Sequence, residues 1–385
     1  LERLAFQQDS TSEYYATYLD LTGRFDTGPI QHNVLLGFDY YRDSNDYFGP
    51  TLEPPTTPPI DIFNPVYGGF VIPAQGSFPY FFRAENEEYG LYFQDQIAFW
   101  DNKLHILGGG RYDWFRNASA TSLSSRAEAE SRLKDVDVEH FSPRVGLLYH
   151  PWPWLGLYGS YTESVGGNNG LSATGQPFPP QQGEQYELGA KSEFFGGRLS
   201  STLAFYHLTK QNILTSDLST DDPFDRIAIG EARSRGIELD VAGQITDALS
   251  MIANYAYTDT EITKDNGPNQ GHRLQNVPLH SGRVWAKYEV LPEHFDIGAG
   301  VSLVSVREGD NENTFKLPGY VTADAYAAYH WKLGKSRLTA QVNINNFLDK
   351  TYYSHSEPLN FFFGPRLMIF PGEPLTVLGS IRLEY

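Results

Sequence analysis

The residues that most often do chemistry in proteins are present in this sequence, but not at the spacings that enzymes and metal sites require. The ten His residues are scattered and include no His-Glu-x-x-His pair. Cys is absent, which excludes a disulfide framework and a thiolate metal site. Gly-x-Ser-x-Gly, the sequence of a serine nucleophile elbow, is absent too. The sequence therefore predicts a protein that is not an enzyme.

Two groups of acidic residues come closest to a metal site. They are Asp217, Asp221, Asp222 and Asp225, and then Glu308, Asp310 and Glu312. Neither group has the Asp-x-Asp-x-Asp-Gly spacing of a calcium loop, so we interpret both as solvated loop charge. The glycine run 108–110 lies inside a strand pattern and does not open a helix, so it predicts no phosphate cradle.

Aromatic side chains are the more promising binding groups, because they cluster in segments without regular alternation. The segment 42–85 carries Tyr47, Phe48, Phe63, Tyr67, Phe70, Phe78, Tyr80, Phe81 and Phe82. The segment 347–373 carries Tyr352, Tyr353, Phe361, Phe362 and Phe363. Exposed rings of this kind suit a ligand with an apolar scaffold and a polar, metal-chelating face. The alternative is that they pack the loops against one another or pad a membrane interface.

The elements that position these loops are predicted to be strands. The 385 residues include 15% aromatic residues, 36 Gly and 24 Pro, which favours an all-β protein with frequent turns. No run of ~18 apolar residues occurs, so no transmembrane helix is predicted. The formal net charge of −18, from 29 Lys+Arg against 47 Asp+Glu, argues against a nucleic-acid partner. The first ten residues lack the features of a signal peptide, so we expect a mature or partial sequence.

Apolar and polar residues alternate with period two along most of the chain. In residues 338–345, for example, Leu, Ala, Val and Ile alternate with Thr, Gln and Asn. Segments near ten residues match the ~9–11 residues that a tilted strand needs to cross a bilayer. About fifteen strands are predicted, roughly at 11–24, 30–41, 86–99, 104–115, 139–149, 154–163, 184–194, 198–209, 231–244, 248–260, 277–289, 295–305, 320–331, 337–346 and 374–385.

The connections between these strands alternate strictly between short and long. The short ones are 26–29, 101–103, 151–153, 195–197, 246–248, 291–294 and 332–336. The long ones are roughly 42–85, 116–138, 165–183, 210–230, 261–276, 306–319 and 347–373. Bacterial barrels place short turns on the periplasmic side and long loops outside, and aromatic residues crowd the strand ends as in their interfacial belts. We therefore predict a transmembrane, antiparallel, up-and-down β-barrel in a bacterial outer membrane.

The odd number of predicted strands indicates whether the chain can form a closed barrel by itself. The first strand runs into a short turn and the fifteenth leaves a long loop, so both descend toward the periplasm. Single-chain bacterial barrels normally have an even number of strands and leave no open edge in lipid. We therefore expect at least one strand to be missing upstream, so that the chain is a fragment.

Several segments carry distinctive motifs. They are LTGRFDTGPIQHNVLLGFDYYR, YGLYFQDQIAF, LHILGGGRYDW, SPRVGLLYHPWPWLGLYGSYTESV, EQYELGAKSEFFGGRLSSTLAFYHLTKQNI, GEARSRGIELDVAG, NINNFLDKTYY and PGEPLTVLGSIRLEY. In this order they resemble the barrel of TonB-dependent ferric-siderophore receptors, most closely the ferrichrome-type, ferric-hydroxamate group. The resemblance covers nearly the whole chain.

The resemblance implies a fold and a function. Members of the family have a 22-stranded barrel filled by an N-terminal plug, so residues 1–385 are expected to be a partial barrel domain without the plug or about seven strands. The implied activity is uptake of a ferric siderophore across the outer membrane, energised by the TonB–ExbB–ExbD complex through the plug. The siderophore itself carries the iron, so neither a cofactor nor protein iron ligands are expected.

Two sets of residues are predicted to serve this function. The candidate ligand-binding residues are Tyr80, Phe81, Phe82, Phe361 and Phe362. The closing strand ends in Ile381, Leu383 and Tyr385 on one register, which resembles the signal read by the outer-membrane assembly machinery. Three alternatives stay open: uptake of another ligand such as cobalamin, heme or an oligosaccharide by the same architecture, a passive porin, and a soluble β-rich adhesin or lectin.

Overall fold

The computed structural model describes residues 9–51, 61, 66, 78–122, 124–168, 170, 172–174, 176, 178–220, 225–361 and 364–385. The main sheet contains β1 Asp9–Thr27, β2 Ile30–Thr51, β3 Phe78–Phe99, β4 Leu104–Ser122, β5 Val136–Trp152, β6 Leu155–Gly166, β7 Gln181–Phe194, β8 Leu199–Ser216, β9 Arg226–Gln244, β10 Leu249–Lys264, β11 His280–Leu291, β12 Phe295–Val304, β15 Tyr320–Leu333, β16 Ser336–Asn345 and β19 Thr376–Glu384. The connections hold β13 Arg307–Glu308, β14 Lys316–Leu317, β17 Tyr353–Phe361, β18 Gly364–Pro371 and the helix α1 Arg126–Ser131.

The main sheet is an up-and-down meander of fifteen strands, each antiparallel to its neighbour in chain order. β13 pairs with β14, and β17 with β18, in two separate small sheets. This topology confirms the predicted all-β, antiparallel architecture and the expected strand number. β1 and β19 form the two edges of the sheet, and no pairing joins them within the described residues.

Helices contribute little to the fold. Within the described ranges, no helix is long and apolar enough to cross a membrane.

The short turns are closed by residues with left-handed backbone. Gly28, between β1 and β2, has φ 66°, and Gly334, between β15 and β16, has φ 65°. Glycine adopts this conformation without the steric cost that a Cβ imposes, so two strands can reverse within a few residues. We call this end of the sheet the turn side, and the end with the long connections the loop side.

The two faces of the sheet differ as the alternation predicted. One face, the outer face, presents large apolar side chains to the surroundings: Leu19 is 69% exposed, Phe93 53% and Leu188 67%. The opposite, inner face carries polar and small residues. A soluble protein rarely exposes so extensive an apolar surface, whereas a barrel wall in lipid requires it.

The strands extend beyond the predicted bounds, mainly on the loop side. The segment 42–85 was predicted to be one long loop, but β2 continues to Thr51 and β3 begins at Phe78. Pairing runs without interruption from Gln31 opposite Ala98 to Thr51 opposite Phe78. Each added pair satisfies backbone N–H and C=O groups, so a hairpin continues past the region where apolar alternation ends.

Aromatic rings on the inner face lie over glycines of the neighbouring strand. Tyr92 of β3 is the direct partner of Gly37 of β2, and a Cβ at Gly37 would collide with the tyrosine ring. The Tyr92 hydroxyl donates a hydrogen bond of 2.5 Å to the carboxylate of Asp20 on β1. The ring therefore spans three strands, and its position requires glycine at residue 37.

Gly37→Ala should destabilise the sheet, because the added methyl group displaces the Tyr92 ring and breaks its bond to Asp20. Overpacking of this kind costs about 1–3 kcal/mol. Gly166→Ala is the matched control, since a Cβ at Gly166 meets nothing within 4 Å. Urea unfolding of the two variants in the same lipid measures the difference, and equal midpoints would contradict the assigned role of Gly37.

Candidate functional site

The predicted ligand-binding residues lie on the loop side. Tyr80, Phe81 and Phe82 are near the start of β3 and pair with the last residues of β2, so they are strand residues and not loop residues as predicted. Phe361 ends β17. Phe362 lies outside the described residues.

The two groups of predicted residues are far apart in strand order. β3 is the third strand of the main sheet, whereas the β17–β18 hairpin lies in the connection between β16 and β19, the last two. No strand pairing joins this hairpin to β3 among the described residues. The structure therefore places Phe81 and Phe82 side by side on β3 with their side chains on opposite faces, and brings Phe361 to the loop side near the opposite edge of the sheet.

A pocket of about 250 Å³ opens where β1, β2 and β3 end. It is lined by Asp9, Thr11, Asp46, Tyr47, Phe81, Phe82, Arg83, Arg126 and Ala129. By strand register, Phe81 and Arg83 share one face of the hairpin, and Tyr47 and Phe82 belong to the other face. Aromatic residues beside two guanidinium groups suit a ligand that has both an apolar part and an anionic or polar part. We call it the aromatic pocket.

One wall of the aromatic pocket is fixed by a network of ion pairs. Arg126 donates to the carboxylate of Asp46, and Nη1 of Arg83 lies 3.5 Å from the same group. Arg83 also contacts Glu85 at 2.7 Å and Glu130 at 3.2 Å. Because Arg126 and Glu130 belong to α1, the network holds the helix against β2 and β3.

Local hydrogen bonds form the helix itself. The Ser125 hydroxyl accepts from the backbone N–H of Glu128 at 3.1 Å, which caps the first turn. The Ser122 hydroxyl donates to the Glu128 carboxylate at 2.8 Å, and this bond lowers the pKa of Glu128 below its ordinary value. The Ala129 side chain is 1% exposed against the strands.

A second polar cluster anchors the β17–β18 hairpin. Arg307 of β13 is 4% exposed and donates to the backbone carbonyls of Tyr353, at 2.6 Å, and Ser354, at 2.7 Å. Its guanidinium lies 5.6 Å from the centre of the Tyr320 ring. Burial lowers the pKa of Arg307. A buried cation without a carboxylate partner is costly, and here carbonyl dipoles and the ring face compensate part of that cost.

Ser356 and Asn276 extend this cluster to a third connection. Ser356 is 1% exposed, and its hydroxyl donates to the carbonyl of Gly309 at 2.5 Å. The side-chain amide of Asn276 donates to the carbonyl of Ser356 at 2.8 Å. The connections after β10, β12 and β16 are thus joined by buried hydrogen bonds, which fixes the base of the hairpin that carries Phe361.

The acidic residues that were predicted to be solvated loop charge differ in their burial and in their hydrogen-bond partners. Glu308 is 8% exposed and pairs with Lys316 at 3.1 Å, so the prediction of a solvated charge was wrong for this residue. Asp310 accepts from the backbone N–H of Thr314 at 2.8 Å. Asp221 and Asp222 lie outside the described residues. No group of three or more His, Cys, Asp or Glu residues suited to a metal ion occurs in the described part of the chain.

Comparison with known proteins decides the family. The family model described as "TonB dependent receptor-like, beta-barrel" matches residues 3–347. The chain belongs to this family.

Several curated relatives are siderophore or metallophore receptors by name. The metal-pseudopaline receptor CntO of Pseudomonas aeruginosa is 38% identical over 383 residues, which are 96% of this chain and 51% of that protein. The ferrioxamine B receptor of Salmonella typhimurium is 33% identical over 355 residues, covering 89% of this chain and 47% of the relative. The ferrichrome outer membrane transporter/phage receptor of Escherichia coli is 31% identical over 362 residues. The chain spans about half the length of the curated relatives that it matches.

Solved structures support the same fold. The ferric preacinetobactin receptor BauA of Acinetobacter baumannii superposes with a TM-score of 0.81 at 24% identity, over 98% of this chain and 55% of that one. The family consists of transport receptors that are outer-membrane β-barrels. Every described element here belongs to the barrel sheet or its connections, so the described part of this receptor chain contains barrel and no plug.

The inner wall of the receptor barrel carries a second cavity, of about 560 Å³. Arg111 is one of its lining residues, with Nη2 2.8 Å from the Asp39 carboxylate and Nε 2.5 Å from Asp113. The guanidinium also lies 5.5 Å from the centre of the Tyr92 ring. These contacts hold the Arg111 guanidinium between two carboxylates and give the cavity a charged, polar wall.

Sequence reasoning found the aromatic rings of this receptor but missed the charged residues beside them. Arg83 and Arg126 were not among the predicted site residues, and neither was Arg307. The signal for Arg126 is weak, since its partner Asp46 is 80 residues away in sequence. Asn276 carried no usable sequence signal, because its left-handed φ of 62° is known only from the structure.

Asp46→Asn should release α1 from the barrel wall, since it removes the carboxylate shared by Arg83 and Arg126. Partly exposed ion pairs are worth about 1 kcal/mol or less, so tryptic cleavage after Arg126 should rise roughly fivefold. Asp137→Asn is the matched control, because its pair with Arg116 is exposed on both sides. Unchanged cleavage in Asp46→Asn would show that other contacts hold the helix.

Proposed function

We propose that this chain is the barrel part, across residues 1–385, of an outer-membrane receptor that takes up ferric siderophores. The observation that carries the proposal is the aromatic pocket on the loop side of a receptor barrel. Uptake requires a ligand-binding site that faces the outside of the cell. Aromatic rings beside cationic side chains suit a chelator with an apolar scaffold and polar chelating groups. The transport energy comes from the TonB–ExbB–ExbD complex, acting through a plug domain.

The relatives narrow the ligand class. CntO is named for metal-pseudopaline, and two further relatives are named for ferrioxamine B and ferrichrome. By similarity, the ligand of this receptor is a metal chelate of a small organic siderophore, and the chelator holds the iron. The protein therefore acts as a binding and transport device, with no catalytic step and no cofactor of its own.

The ligand-contacting residues that we propose are Tyr80, Phe81, Phe82, Phe361 and Phe362. Phe81 and Phe82 line the aromatic pocket, where Arg83 and Arg126 supply charge. Phe361 belongs to a hairpin whose base is fixed by Arg307 and Ser356. A ligand bound between the two groups would contact β3 on one side and the β17–β18 hairpin on the other. Preorganised loops reduce the entropy lost on binding.

Uptake assays test this function directly. A strain that lacks the receptor, grown under iron starvation and supplied with single siderophores, should lose accumulation of at least one labelled ferric siderophore. Deletion of TonB should abolish the same uptake, and a passive pore would still conduct without TonB. Normal accumulation with every siderophore tested, in the receptor deletion, would reject the proposal.

Phe82→Ala should weaken siderophore binding without affecting assembly. Phe82 lies on the inner-face register of β3, and removing a ring that contacts the ligand costs about 1–2 kcal/mol, which raises the Kd roughly tenfold. Phe38→Ala is the control, since Phe38 is on the outer face and 39% exposed there. Titration with the ferric siderophore, followed by intrinsic fluorescence, measures both variants. Equal affinities would remove Phe82 from the proposed site.

We further propose that Ile381, Leu383 and Tyr385 form the signal for the outer-membrane assembly machinery. All three lie on the outer face, with exposed fractions of 81%, 60% and 104%. Tyr385→Ala should lower the amount of heat-modifiable, folded receptor in outer-membrane fractions several-fold, whereas Glu384→Ala on the inner register should not. Equal amounts in both variants would contradict an assembly role.

A further inference from the structure

The cavity of about 560 Å³ on the inner wall carries more charge than its own ion pairs neutralise. We call it the inner cavity. Its charged lining residues are four acids and two arginines: Asp39, Glu88, Asp113, Glu163, Arg111 and Arg144. Arg111 lies between the carboxylates of Asp39 and Asp113 and is shared by them. Glu88 and Arg144 are therefore the two charges that these pairs leave over.

Glu88 lies at the loop-side end of the inner cavity. Its carboxylate forms no hydrogen bond or ion pair with another described residue. The charged groups that act on it are the carboxylates of Asp113, Asp43 and Asp39 and the guanidinium of Arg111. With Glu88 these are four carboxylates, and one guanidinium cannot balance them. A positively charged group beside Glu88 is therefore attracted to this part of the wall.

Ser142 and Arg144 form the turn-side end of the inner cavity. Ser142 is 6% exposed, and its Oγ has no hydrogen-bond partner in the described part of the chain. The Arg144 guanidinium has no carboxylate partner among the described residues. A buried hydroxyl and an unpaired guanidinium both have hydrogen-bond donors to offer, so this end suits a ligand that presents oxygen acceptors.

Strand register sets the distance between the two ends. Ser142 pairs with Arg111, and Arg111 pairs with Tyr92 on β3. Glu88 precedes Tyr92 on β3, on the same face and nearer to the loop side. The four residues from Glu88 to Tyr92 span about 13 Å at 3.3 Å per residue. One small molecule can therefore reach both ends, and the cavity volume is within the range of about 300–1,000 Å³ that is typical of ligand sites.

We propose that the inner cavity binds the ferric siderophore through a positively charged amine of the chelator, with the amine at Glu88 and the chelating oxygens at Ser142 and Arg144. A protonated amine donates charge-assisted hydrogen bonds to the free carboxylate, while the hydroxyl and the guanidinium donate to the oxygens. The receptor then selects siderophores by charge, a cationic chelate before a neutral one and a neutral one before an anionic one. This rests on the proposed function and names a subclass of its ligand.

A basic side chain from another part of the complete receptor is the competing occupant. Such a side chain would neutralise Glu88 but leave Ser142 and Arg144 without acceptors. A chelate that carries both an amine and oxygen ligands satisfies the two ends at once. The two unsatisfied ends of the inner cavity therefore favour the chelate.

Three forms of one chelate test the selection by charge. The probes are a linear ferric trihydroxamate with a terminal primary amine, its N-acetyl derivative and its N-succinyl derivative. They are cationic, neutral and anionic at the same position. Quenching of intrinsic fluorescence measures their affinities for the purified, full-length receptor. The cationic form should bind about tenfold more tightly than the neutral form, and the anionic form should bind most weakly.

Substitutions at the two ends should have different effects. Glu88→Gln should remove the preference for the cationic form over the neutral form, and Glu88→Lys should reverse the order of the cationic and anionic forms. Arg144→Gln should weaken all three forms by a similar factor, because it acts on oxygens that they share. Asp26→Asn is the matched control: Asp26 is on the inner-face register of β1 and does not line the inner cavity, so the order should not change.

The remaining outcomes count against the proposal. Equal affinities of the three forms, failure of all three to bind, or a charge preference that survives Glu88→Gln would overturn it. Lower thermal stability of Glu88→Gln with an unchanged preference would assign Glu88 to a contact within the complete receptor.

The proposed function is tested separately. If deletion of the receptor abolishes uptake of a siderophore but the purified receptor shows no charge preference, only the charge selection fails. Normal accumulation with every siderophore in the deletion strain would reject both.

Discussion

Backbone pairing across the fifteen strands is the constraint on which the rest of this structure depends. In a bilayer no water is available to unpaired N–H and C=O groups, so each strand must form backbone hydrogen bonds with its neighbours along its whole lipid-facing length. The chain continues that pairing past the apolar segments, and β2 and β3 remain partners as far as Thr51 and Phe78. The extended hairpin is rigid because its hydrogen bonds continue. The aromatic pocket is therefore built on sheet, and its rings are positioned by strand register.

Much of the fold could be predicted from sequence, because lipid on one side and polar surroundings on the other impose period-two alternation. The loop-side halves of the strands could not, since water meets both of their faces and the alternation disappears. Residues 83–88, Arg-Ala-Glu-Asn-Glu-Glu, pair fully with β2 although no apolar register marks them as a strand. The same limit applies to the site. The aromatic residues Phe81 and Phe82 can be read directly from the sequence as part of an aromatic cluster. The ion pair of Arg126 with Asp46 joins residues 80 apart and depends on how the connection between β4 and β5 packs against β2, which the sequence does not show.

The connections on the loop side are held by two different kinds of polar contact. Around α1 the contacts are partly exposed ion pairs, which contribute little free energy each and weaken with salt. Around Arg307 and Ser356 they are buried hydrogen bonds, where leaving a donor unpaired costs more than the bond itself contributes. The hairpin that carries Phe361 is consequently the more firmly held of the two groups. A ligand that contacts both groups would bind one firmly held surface, on the β17–β18 hairpin, and one more mobile surface, beside α1.

Glycine has opposite consequences on the two faces of the same wall. On the inner face the gap at Gly37 is filled by Tyr92, whose ring is then fixed by its bond to Asp20. On the outer face the gap at Gly108 is left open by the protein. An empty apolar gap forfeits dispersion contacts along its lining, so the wall is more stable when something of the right shape occupies it. Inside the barrel that occupant is encoded in the neighbouring strand. On the outer face no protein atom comes within 4 Å of a Cβ at Gly108, so a larger residue at that position would displace no neighbouring side chain.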